Sequence, residues 1–114
     1  MLDFLNIAKE VAKAALDKKA EDVAILKMDD VTVITDFFVI CTVTNRTQAQ
    51  AIADNIEDTM KEHGMKILHR EGLREGTWVL LDYGSIVIHV FQKDMRRFYD
   101  LETLWGDATV IQID

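Results

Sequence analysis

Residues 76–92 read Gly-Thr-Trp-Val-Leu-Leu-Asp-Tyr-Gly-Ser-Ile-Val-Ile-His-Val-Phe-Gln. No other stretch limits the fold as strongly. Two runs rich in β-branched and aromatic residues, Trp78–Asp82 and Ile86–Phe91, flank Tyr83-Gly84-Ser85. Glycine supplies a backbone conformation that a side chain resists, and Ser and Asp suit a tight corner, so the stretch predicts a β-hairpin. Val79, Leu80 and Leu81 are consecutive and apolar, as are Ile86, Val87 and Ile88. Successive apolar residues point to opposite faces of a strand, so both strands are expected to be central and covered by helices.

The remaining elements follow from periodicity. Asp3 is placed to cap a helix running to about Lys18, with an apolar stripe of Phe4, Ile7, Ala8, Val11, Ala15 and Leu16. Val23–Lys27 reads as a short strand, Met28-Asp29-Asp30 as a polar break and Val31–Ile34 as partly extended. Phe37–Val43 is the next strand. Thr44 or Asn45 starts a second helix to about His63, with Ala49, Ile52, Ala53, Ile56 and Met60 inward and Glu57 and Lys61 paired outside. Gly64 stands where a helix ends in a left-handed residue. Met65–His69 then predicts a strand joined by a right-handed parallel crossover, and a charged loop from Arg70 to Gly76 leads into the hairpin. Asp94 and Asp100 are placed to cap short helices over Met95–Tyr99 and Leu101–Trp105; Gly106 stops the second, and Thr109–Ile113 is a candidate edge strand. The sum is an α/β domain of two layers with a mixed sheet of about five strands.

A chain of 114 residues is expected to form one domain, residues 1–114, with a single core. No apolar run is long enough to cross a bilayer, and the N-terminus lacks the basic-then-apolar pattern of a signal peptide. Cys41, the only cysteine, lies in an apolar run, where a free thiol behaves as a small buried hydrophobe. These features point to the cytoplasm and away from the membrane. The net charge of −7 disfavours direct binding to a phosphate backbone and suits a basic protein partner.

The segments Trp-Val-Leu-Leu-Asp-Tyr-Gly (78–84), Ile-Val-Ile-His-Val-Phe (86–91) and Phe-Tyr-Asp-Leu-Glu-Thr-Leu-Trp (98–105) resemble the signature of the ribosomal silencing factor, or Iojap, family. Thr35-Asp36-Phe37-Phe38-Val39-Ile40 followed by Gln50-Ala51-Ile52-Ala53-Asp54 extends the resemblance over almost the whole chain in the same order. Cys41-Thr42-Val43 departs from the pattern, where the family often has a small, glycine-containing stretch. The resemblance implies a fold related to the nucleotidyltransferases. It implies no enzyme and no cofactor, but a domain that binds ribosomal protein L fourteen of the large subunit. On that face it would keep the small subunit away and lower translation when nutrients are short.

The related fold raises a metal-dependent nucleotidyltransferase as a rival. That chemistry needs paired carboxylates on one strand face, and a Gly-Ser pair opening a helix to hold phosphate. Asp82 is followed two residues on by Gly84, Asp36 by Phe38, and Gly84-Ser85 precedes a strand. The catalytic carboxylates are therefore missing from the pattern. Asp29 and Asp30, adjacent in a polar break, read as a solvated turn. No two of His63, His69 and His89 have metal-ligand spacing, and His89 reads first as a hydrogen-bonded structural residue. A homodimeric adaptor with another basic partner is the second rival, and a homodimer of the free protein is compatible with either binding reading. Aromatic residues cluster in the matched segments. Phe98 and Trp105 have amphipathic spacing that suits a core. Trp78 shares a strand face with Leu80 and Asp82, opposes the face of Val79, Leu81 and Tyr83, and is either core or an interface anchor. Carried over from the family signature, the candidate contacts are Trp78, Leu80, Leu81, Asp82, Tyr83, His89 and Tyr99, with Arg70 and Glu71 as weaker candidates.

Overall fold

The computed structural model describes residues 3–113. Its elements in chain order are α1 (Phe4–Asp17), β1 (Glu21–Lys27), β2 (Phe37–Val43), α2 (Arg46–Glu62), β3 (His69–Glu71), β4 (Trp78–Asp82), β5 (Ile86–Gln92), α3 (Lys93–Tyr99), α4 (Leu101–Leu104) and β6 (Thr109–Ile111). The strands form one mixed sheet of six in the order β3-β4-β5-β2-β1-β6. Among the described residues only β2 and β5 pair in parallel. The expected two-layer α/β domain is therefore present with one strand more than anticipated.

Helices α1 and α2 cover one face of the sheet, the inner face. Asp3 caps α1 by accepting from the Asn6 amide at 3.1 Å. The buried side of α1 is Ile7, Ala8, Val11, Ala12, Ala14 and Ala15, and its small residues suit close approach by α2. Leu16, expected on that stripe, is exposed. Asn45 caps α2 by accepting from the Gln48 amide at 2.8 Å. Gln48 reaches back to the Thr44 amide at 2.8 Å and donates to the Lys18 and Lys19 carbonyls. It thus satisfies orphan groups at the start of α2 and the end of α1 together.

Two topological expectations are corrected. Residues 65–68 are not a strand; β3 begins at His69 and runs antiparallel to β4, with Arg70 opposite Leu81. The parallel partner of β2 is β5, reached only after the β3–β4 pair. All three β3 residues are exposed, and charge on an edge strand discourages further pairing. Residues 31–34 are not extended: 29–31 turn on Met28, whose carbonyl accepts from the Val31 and Thr32 amides at 2.9 Å, and 33–34 bend. Asp29 and Asp30 lie in that turn and share the Lys27 ammonium.

The hairpin forms as expected. Gly84 has φ +83°, Asp82 Oδ1 accepts from its amide at 2.8 Å, and the Tyr83 amide donates to the Ile86 carbonyl at 2.9 Å. Its two strands are covered differently. From Ile86 to Phe91, β5 is buried on both faces, whereas β4 alternates between half-buried and buried. The reason is the small size of the second cover. Helices α3 and α4 bring Met95, Leu101 and Trp105 onto Leu26, Met28, Ile40 and Phe91, and this apolar cap leaves the outer side of β4 half open. Asp100 stands at the N-cap of α4 as expected but makes no side-chain capping bond, and Asp94 is displaced from the cap of α3. Asp94 lies inside the first turn of α3, and Asp100 joins α3 to α4 in the left-handed region, φ +42°.

Candidate docking face

Alternation along the strands assigns each side chain to a face. On the outer face Asp82 lies opposite Val87, Leu80 opposite His89 and Trp78 opposite Phe91. The parallel β2–β5 register adds Phe38 beside Val87, Ile40 beside His89 and Thr42 beside Phe91. Three rows result, running from a charged end at Asp82 to an aromatic end at Trp78. Helix α3 closes over the aromatic end, where the Tyr99 and Trp78 ring centroids are 4.5 Å apart. Trp105 meets Phe38 edge-on at 6.3 Å. Phe98 stands out at 79% exposure, 5.1 Å from Tyr99 and T-shaped to it.

This arrangement sorts the sequence candidates. Trp78, Leu80, Asp82, His89 and Tyr99 are brought together on the outer face. Leu81 and Tyr83 are corrected: they point to the inner face, at 0% and 7% exposure, among the side chains under α1 and α2. A period of two in β4 cannot place Leu80 and Leu81 on one surface. Burial pushes the Tyr83 phenol up to about 12, with Glu57 adding to the shift and Arg70 opposing it. Arg70 and Glu71 separate in the same way. Arg70, opposite Leu81, turns to the inner side and pairs with Glu57 of α2, which replaces the expected Glu57–Lys61 pair. Glu71, opposite Leu80, lies on the outer side, with His69 Nε2 at 3.4 Å from its carboxylate. Phe98, expected in the core, is a surface residue, while Trp105 is half-buried and packs on the outer cluster.

Phe38 and Val87 belong to this face and were not singled out from the sequence. Finding Phe38 requires the β2–β5 register, which strand patterning does not give. Arg96 was also missed. Its guanidinium donates to Thr42 Oγ1 at 2.9 Å, to the Asp22 carbonyl and to Glu102, and so ties α3 to the end of the sheet.

His89 is 6% exposed and its Nδ1 accepts from the Trp78 indole nitrogen at 3.1 Å. Burial pushes its pKa down to about 4, with the Asp82 carboxylate pulling the other way. The imidazole is neutral at ordinary pH. On the inner face, burial raises the Cys41 thiol to about 12, which suits a structural residue and not a nucleophile. Among the described residues no three His, Cys, Asp or Glu side chains are grouped to hold a metal ion. No helix among them is long and apolar enough to cross a membrane.

An aromatic face, half-covered and bordered by carboxylates, defines the chain as an α/β domain with a surface suited to macromolecular docking. The family model described as "Ribosomal silencing factor during starvation" matches residues 2–114. A ribosomal silencing factor of Bacillus subtilis is 44% identical over 109 residues, covering 96% of this chain and 92% of that protein. The chloroplastic Iojap protein of Arabidopsis thaliana is 36% identical, covering 97% of this chain and 46% of its own length. A solved structure of a Chromobacterium violaceum protein superposes with a TM-score of 0.88 at 32% identity, covering 92% of this chain and 88% of that one. The chain belongs to the ribosomal silencing factor family.

Proposed function

We propose that this domain binds the large ribosomal subunit through ribosomal protein L fourteen. There it occupies the surface on which the small subunit docks, and so represses translation when nutrients are limiting. In this reading residues 1–114 act as one domain in the cytoplasm, by occupancy and with no chemical step. The observation that carries it is the outer face, where Trp78, Leu80 and Tyr99 keep aromatic and aliphatic surface in contact with solvent beside Asp82 and Glu71. Apolar area at the centre with acidic groups at the rim fits a basic protein surface. Specific binding needs only about 800 Å² from each partner, within reach of one face of a domain this small.

Cosedimentation with purified large subunits tests it, using Leu80→Lys on the outer face and Asp58→Lys on the exposed side of α2. Wild type and Asp58→Lys are expected to bind, and Leu80→Lys to lose binding while keeping its melting temperature within a few degrees. Normal binding by Leu80→Lys, with loss in Asp58→Lys, places the interface on the helices and contradicts the proposal.

A further inference from the structure

Trp78 and His89 are diagonal neighbours on the outer face, since Trp78 lies opposite Phe91 and Leu80 opposite His89. An indole nitrogen only donates, so the 3.1 Å contact from Trp78 Nε1 requires an unprotonated Nδ1, and the neutral imidazole carries its proton on Nε2. His89 is held from several sides. Its ring stacks on Phe91 at 5.9 Å and 6°, and Phe38 meets it edge-on at 4.7 Å. The imidazole is thus the buried member of the pair, and the half-buried indole the one that reaches solvent.

Among the described residues His89 Nε2 is buried without a hydrogen-bond partner, a condition that costs about 1–3 kcal/mol. A phenyl ring would fill the space between Phe38 and Phe91 without that cost. What histidine adds here is the acceptor at Nδ1. We infer that His89 is the positioning residue of the docking face, fixing the Trp78 indole in the orientation that the partner meets and taking up the indole's only donor. The inference rests on the docking reading above and gives it a chemical consequence. With its N–H engaged, Trp78 offers ring surface alone. Phe91 and Tyr99 lie 5.0 and 4.5 Å from the indole but 6.4 Å from each other, too close together to sandwich it between them. The open indole surface takes an aliphatic chain or a Lys or Arg side chain laid across it; a carbonyl or carboxylate acceptor finds no donor there.

Two-bond ¹H–¹⁵N NMR of free wild-type protein reads the His89 tautomer. The indole N–H of Trp78 is told from that of Trp105 with Trp105→Phe. His89→Phe keeps a ring and removes the acceptor; His89→Asn puts an oxygen where Nδ1 stood. The wild type is expected to show an unprotonated Nδ1. The Trp78 indole signal should move upfield in His89→Phe and return in His89→Asn. Affinity for purified large subunits should fall roughly fivefold to tenfold in His89→Phe and recover to within about twofold in His89→Asn, the scale of one hydrogen bond. A wild-type Nδ1–H tautomer, an unmoved indole signal in His89→Phe, or a moved signal with unchanged affinity overturns the inference. Wild-type protein that binds no large subunits overturns the docking reading, while the two NMR signals decide the hold of His89 on Trp78 independently.

Discussion

The ring of Trp78 on β4 lies 4.5 Å from that of Tyr99 on α3, so the open strand of the sheet and its small helical cover share one aromatic contact. Trp78 also packs on Phe91 at 5.0 Å, which makes it both a lid on the outer cluster and a surface residue. Trp78→Ala should therefore weaken binding to large subunits by about 2 kcal/mol or more, the range of an interface hot spot. Its stability loss should be about 1–3 kcal/mol, below the roughly 3–5 of a fully buried aromatic. Urea melts and cosedimentation on the same variant check both numbers. A full core-sized loss, with normal affinity in the folded fraction, would assign Trp78 to the core alone.

Stability should depend on pH through His89. Its folded pKa, about 4, lies below the ordinary value near 6.5, so between the two the unfolded chain binds the extra proton. Stability rises with pH in that window: the contribution is complete above about 6.5 and is lost as pH falls towards 4, amounting to about 3 kcal/mol. Urea midpoints from pH 4.5 to 7.5 measure the slope, which His89→Phe should flatten. An unchanged slope in that variant would assign the acid sensitivity to other groups.

Gly72 sets the entry to β4. Its φ is +79°, and a Cβ there would stand 1.9 Å from the Trp78 carbonyl oxygen. Gly72→Ala combines a strained backbone with a collision against backbone, so a loss of more than ~1 kcal/mol is expected, together with weaker docking as Trp78 shifts. Thermal melts read the first effect and cosedimentation the second. Unchanged values for both would mean that the 72–76 loop moves freely relative to β4.

Arg96 holds α3 to the sheet through Thr42, the Asp22 carbonyl and Glu102, with only 14% of its side chain exposed. Arg96→Ala should cost about 1–3 kcal/mol, since charged hydrogen bonds in a partly buried place are lost. Hydrogen exchange should quicken in residues 93–104 and stay unchanged in α2. Equal quickening throughout would point to global destabilisation.

Local signals were legible where one pattern decided the element. The apolar run 37–43 gave β2 its full bounds, the Thr44-Asn45 pair marked the start of α2 to within a residue, and Gly84 located the hairpin turn. Non-local facts were not. The strand expected over Met65–His69 failed because the β2–β5 pairing that sets the crossover is a contact across 49 residues of sequence, as in Phe37 with Ile86. Leu81 and Tyr83 were carried over with Leu80 and Asp82 because a signature match carries no face, although period two had already set them on the side opposite Trp78, where they are buried. Phe98 read as core from helical spacing, yet α3 is seven residues long and buries too little surface to cover it. Trp78, Leu80 and Asp82 were placed on one face correctly, because that rests on period two alone.

The most direct test of the central claim is sedimentation of purified subunits with the domain added before or after joining. Exclusion by occupancy is competitive. Added first, stoichiometric protein should leave the subunits separate; added to preformed whole ribosomes, it should act far more weakly. Leu80→Lys should have no effect in either order. If wild-type protein travels with the large subunit and whole ribosomes still form normally, the domain binds without blocking, and the proposed mechanism is wrong.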